Sequence, residues 1–63
     1  MSANDIIYLD IKNHIVRHQD SETGYPKGHY YSSSKHKRLI DAIKKAKKIQ
    51  DENSPEYGIF IIK

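Results

Sequence analysis

The sequence predicts a small α+β domain: an antiparallel sheet of three to four strands with one amphipathic helix on one face, in the order β-(β)-β-α-β. Three observations carry that expectation. Apolar residues alternate with Tyr8 and Asp10 from Ile7 to Ile11, they recur at helical spacing from Leu39 to Ile49, and they run unbroken from Ile59 to Ile62. The 63 residues suffice for a single domain, 1–63. Its core must be thin, because a chain of that size buries only about 60% of the surface its unfolded form exposes.

The first strand is expected at about 5–12, where Ile7, Leu9 and Ile11 share one side and Tyr8 and Asp10 the other. Asn13-His14 reads as a turn, with Ile15-Val16 at the centre of a second strand at about 14–18. A competing reading makes residues 6–18 one long bent strand. The loop 19–28 is rich in Asp, Ser, Thr, Gly and Pro. Gly28-His29-Tyr30-Tyr31-Ser32 then supplies a strand at about 28–32, in which one tyrosine should face the core and the other solvent.

The helix is expected at about 34–52. Leu39, Ala42, Ile43, Ala46 and Ile49 form its apolar stripe. Ser33 or Ser34 would cap its start, and Asn53-Ser54-Pro55 would end it. The last strand, about 58–62, is apolar on both faces, the pattern of a strand that is central in its sheet or covered on both sides. One helix covers only one sheet face. Ile6, Tyr8, Phe60 and Ile62 are therefore expected on an open face, to be covered by a second copy, a partner protein or the 19–28 loop. A homodimer or a partner protein is the favoured occupant.

Charge is distributed unevenly. Residues 27–50 carry seven lysines and Arg38 against Asp41 alone, a net of +7, while the segments before and after each carry −2. Such a local positive field attracts polyanions and acidic surfaces. With the helix starting near Ser34, the segment Ser32-Ser33-Ser34-Lys35-His36-Lys37-Arg38 would crowd cations onto the positive end of the helix dipole, and Asp51 and Glu52 would sit at its negative end. The sequence thus implies an anion site at the helix start, built from Ser33, Ser34, Lys35, Lys37 and Arg38. Lys44, Lys45 and Lys48 would continue it along the outer side, and Tyr25 and Tyr31 are candidates for stacking on bases. The bland alternative is a solvated basic face balanced by carboxylates elsewhere in the fold. Lysine predominates over arginine, so nucleic-acid contacts would be sequence-tolerant and salt-sensitive.

Other classes find less support in the residues. There is no cysteine, which removes disulfides and thiolate metal sites and fits a reducing, cytoplasmic setting. His14 and His18 stand four apart on an expected strand or turn, where that spacing does not bring them to one face. No metal site or cofactor is expected. Ser32 to Ser34 with His29 or His36 contain the letters of a catalytic triad without a framed nucleophile, so the chain reads as non-enzymatic. No apolar run is long enough for a membrane span, and residues 1–5 do not read as a secretory signal. The expected partner is nucleic acid. The competing expectation is a small protein of the kind viruses and mobile elements encode, which binds an acidic host protein through the basic helix or the open sheet face.

Overall fold

A computed structural model describes residues 5–22, 24–55 and 57–63. It contains β1 (Asp5–Asp10), β2 (Ile15–Asp20), β3 (Tyr30–Lys35), α1 (Leu39–Asn53) and β4 (Ile59–Ile62), the predicted order of elements. The strands form one sheet in the spatial order β3-β2-β1-β4.

The N-terminal half is a hairpin and not one bent strand, because Asp10 folds the chain back. Its Oδ1 accepts the backbone N–H groups of Lys12 (3.1 Å) and Asn13 (3.0 Å), which builds the turn around a side chain that stands in for backbone. His14 closes the turn at φ 57°, a left-handed conformation that histidine adopts more often than β-branched residues do. Register follows directly: Leu9 pairs with Val16 and Ile7 with His18, which puts Ile7, Leu9 and Val16 on one face.

The sheet is mixed where a wholly antiparallel one was expected. β2 is antiparallel to both β1 and β3, but β4 lies parallel to β1, with Ile7 opposite Ile59 and Leu9 opposite Ile61. The cause is α1, which leaves the end of β3, crosses the sheet and returns the chain to the far edge in the direction of β1. β4 is consequently an edge strand, although its apolar sequence suggested one that is central or covered on both sides. The central strand is β1, buried on both faces along its whole length.

Strand β3 runs later, and α1 starts later, than the sequence suggested. Ser32, Ser33 and Ser34 pair with His18, Arg17 and Val16 of β2. Five ladder pairs outweigh the local preference of serine for a helix cap. The helix begins at Leu39 with Arg38 as its N-cap residue, extended in backbone and making no side-chain capping bond. It ends at Ser54, which adopts the left-handed conformation (φ 45°, ψ 59°) and donates its N–H to the carbonyl of Gln50.

The helix packs on β1 and β2. Ile7, Leu9, Val16, Ala42, Ala46 and Ile49 form the core, with Ile11, Ile43 and Ile59 against its margin. Leu39, expected within the core, is 36% exposed.

Candidate interaction surfaces

The face opposite α1 carries Ile6, Tyr8, Asp10, Arg17 and Gln19, and the β2–β3 loop closes over it. Gln19 is fully buried, and its Nε2 donates to the carbonyls of Gly24 (2.9 Å), Lys27 (3.2 Å) and Asp20 (3.3 Å). Arg17 Nη2 donates to the Gly28 carbonyl, and its guanidinium carbon lies 4.3 Å from the Tyr30 ring centroid. The Tyr25 ring packs 5.6 Å from that of Tyr8, and its hydroxyl donates to Asp10 Oδ2 at 2.7 Å. Asn13 Nδ2 donates to the same oxygen at 2.9 Å.

These bonds set the protonation of the pair. The Asn13 side-chain hydrogen bond, helped by the Tyr25 hydroxyl and the two backbone N–H groups and opposed by burial, holds Asp10 below its ordinary 3.8, at about 2. Burial, then the hydrogen bond and charge of Asp10, push the Tyr25 phenol from 10.0 to about 12 against the opposing charge of Arg17.

Two expectations change here. Ile6 and Tyr8 do not belong to an open patch, since the chain's own loop reduces each to 9% exposure. Tyr25 is not free to stack on a base, because its ring and hydroxyl hold that loop down. Of the four residues expected on the open face, Phe60 remains well exposed and Ile62 partly so. The spacing of Asp10 to Asn13 was the signal in the sequence for the turn; nothing comparable marked Gln19.

The basic surface is displaced rather than lost. Ser33 and Ser34 do not lie at the helix start: Ser33 faces the loop side opposite Arg17, and Ser34 Oγ is 2.9 Å from His36 Nε2. The four-cation first turn also disappears, for Lys35 ends β3 and Lys37 lies in the linker. The first turn of α1 carries Asp41, which complements the dipole, 3.8 Å from Arg38 Nε in an exposed pair. At the other end the sequence expectation holds: the last turn has no basic residue and contains Asp51 and Glu52.

What replaces the helix-start site is a shelf beside the helix. α1 lies over β1 and β2, so the α1-side face of β3 stays open. Ser32 and Ser34 point to that side with their ladder partners His18 and Val16. A register shift at His18/Gln19 brings Tyr31 there as well, its ring centroid 5.0 Å from that of His18. His18 is held by Asp5, with Nε2 2.7 Å from Oδ2 in a buried pair. Gln50 stands beside Gly58, on the β4 flank of the helix. Helical spacing therefore turns Arg38, Lys45 and Lys48 toward β3, and Lys44 outward. Tyr31 lies four residues, ~13 Å, before Lys35 along β3, which brings it level with Lys48 on the antiparallel helix. Tyr30 and Tyr31 are on opposite faces, yet both are about half exposed (51% and 54%), because neither α1 nor the loop reaches fully over this edge.

Two buried carboxylates are engaged elsewhere, while Asp41 and Glu52 share the β3 flank of α1 with Lys45 and Lys48. Asp10 is engaged by four donors and Asp5 by His18. Among the described residues, Lys35, Lys37, Lys44, Lys45, Lys47 and Lys48 form no ion pair, and Arg38 has only Asp41. Lys47, which the outer stripe read from the sequence omitted, is exposed and falls by helical spacing on the β4 flank with Ile40 and Ile43.

His14 and His18 are engaged separately: His14 Nδ1 is 3.2 Å from the Lys37 carbonyl, which can only accept, so that nitrogen carries the proton. No group of three or more His, Asp or Glu placed to hold a metal occurs among the described residues. No described helix is long and apolar enough to cross a membrane. Compared with known proteins, the chain matches no protein-family model, no curated protein and no solved structure.

Proposed function

We propose that this protein is a small, non-enzymatic binding module that contacts nucleic-acid phosphates through the shelf between α1 and β3. The observation that carries the reading is the set of lysines without ion pairs at Lys35, Lys37, Lys45 and Lys48, together with Arg38, beside an uncovered strand bearing Ser32, Ser34 and Tyr31. Lysine ammonium groups and hydroxyls bind phosphate oxygens without reading base sequence. A solvated basic face would need no such juxtaposition, and of the carboxylates that could balance it Asp5 and Asp10 are engaged elsewhere. The half exposure of Tyr31 at the edge of the shelf, with one side of its ring on His18, supports stacking on an unpaired base and hence single strands over duplex.

The test is a fluorescence-anisotropy titration with single-stranded and duplex oligonucleotides at two salt concentrations. Affinity should fall steeply with salt. Neutralising Lys35, Lys45 and Lys48 together should weaken binding for all sequences and reduce the slope of log K against log salt by about 1 for each phosphate that is no longer neutralised. Tyr31→Ala should weaken single-strand binding more than duplex binding. Absence of binding at low salt sinks the reading.

A further inference from the structure

We propose that the outer edge of β4 pairs antiparallel with β4 of a second copy, joining two four-stranded sheets into one of eight strands. Ladder geometry identifies the available groups. Ile7 N–H bonds to the Gly58 carbonyl at 2.9 Å and Ile11 N–H to that of Ile62 at 3.1 Å, so residues 58, 60 and 62 turn their backbone groups toward β1. In a parallel pair the alternate residues point away. The N–H and C=O groups of Ile59 and Ile61 therefore face outward, and among the described residues nothing pairs with them.

The side chains at this edge are unprotected. β4 has no charged residue or proline in its four positions, and Phe60 and Ile61 are 54% and 50% exposed. Leu39, Ile40 and Ile43 lie on the flank of α1 that leans the same way, which extends the apolar surface. The opposite edge of the sheet, β3, is different. It carries three serines and Lys35 and is interrupted by a register shift, the ordinary means by which an edge is blunted against pairing.

Charge identifies the occupant as a second copy. One end of β4 is basic, with Lys63 following the strand and Lys12 following Ile11, whose N–H bonds to Ile62. The other end is acidic: Asp51 lies in the last turn of α1, which holds no basic residue and where the dipole adds further negative potential. A twofold axis at Phe60 brings the basic end of each copy against the acidic end of the other. It also places Phe60 beside its symmetry mate and Ile59 opposite the partner's Ile61, and their outward groups exchange four backbone hydrogen bonds. A uniformly charged partner strand would oppose one end of this edge.

Sedimentation equilibrium from low micromolar to millimolar concentration tests the pairing. The expected result is a mass that rises from 7.3 kDa to twice that value. Ile61→Pro removes an outward N–H and leaves the β1 ladder intact, so it should return the protein to a monomer with its helical circular dichroism retained. Lys63→Glu should weaken the dimer, and adding Asp51→Lys to it should restore the dimer. Hydrogen exchange on the unmutated chain gives a readout independent of variant folding: the Ile59 and Ile61 amides should gain protection with concentration. A monomer throughout the range, a dimer that survives Ile61→Pro, or exchange at Ile59 and Ile61 independent of concentration overturns the proposal.

Discussion

Arg38 occupies the N-cap of α1 with extended backbone and no capping bond, although serine, aspartate or asparagine there would satisfy a free N–H of the first turn. Arg38→Asp should raise stability by about 1 kcal/mol in urea unfolding while lowering oligonucleotide affinity. A cation retained against that gain is what a phosphate-contacting surface requires. Asp10 and Tyr25 make a second prediction at this scale. The Asp10 carboxyl lies below its ordinary 3.8, so the stability it contributes is complete above that value and is lost as pH falls through about 2. Tyr25 has the opposite sign, for its phenol is raised: its contribution is complete below pH 10 and is lost as pH rises through about 12. Tyr25→Phe should remove the alkaline loss, raise the Asp10 pKa and cost about 1 to 2 kcal/mol, as followed by denaturant melts across pH. The turn at Asn13-His14 could be read in the chain. The Tyr25 contact could not, because it joins residues fifteen apart across a loop whose path no local rule specifies.

Among the elements, α1 illustrates how local preference and pairing compete. Its apolar stripe located its body correctly, since Ala42, Ala46 and Ile49 are buried as the spacing required. Its start moved from about 34 to Leu39, because Ser33 and Ser34 complete the β3 ladder, and the anion site expected at the helix start dissolved with that shift. Its C-terminus exposes a separate weakness. Ser54 holds a left-handed conformation that costs a residue with a Cβ about 1 kcal/mol, so Ser54→Gly should raise the thermal midpoint by several degrees in a calorimetric scan. The strands show the limit of pattern reading. β4 is apolar on both faces and lies at an edge, whereas β1 alternates less cleanly with polar residues than a half-exposed strand would and lies at the centre, roofed by α1 below and the loop above.

For the molecule as a whole, one helix shields two strands, and the remaining surfaces follow from that ratio. A domain of this size holds roughly 3 to 9 kcal/mol of stability. Ile7, fully buried beneath α1, should cost about 2 to 5 kcal/mol when replaced by alanine, enough to consume most of that reserve and abolish cooperative unfolding at the elevated end of the temperature range. Phe60→Ala, at an exposed site, should change monomer stability far less and should instead act on self-association. The two proposed surfaces are on opposite flanks of α1, the basic shelf toward β3 and the apolar edge at β4. Pairing at β4 would leave both shelves open and double the cationic surface available to a single nucleic-acid strand.

The sequence alone determined the order of elements apart from whether residues 6–18 form a hairpin or one strand, the body of the apolar stripe and the concentration of positive charge between residues 27 and 50, because each depends on neighbours close along the chain. Only the tertiary structure decided which strand is central, which edge is open and whether the second sheet face is covered. Those outcomes depend on contacts between residues far apart, where Gln19 and Tyr25 seat the loop on Ile6 and Tyr8 and where α1 carries β4 to the far edge of the sheet. Local periodicity specifies what a segment can bury, and packing decides what is left to bury it.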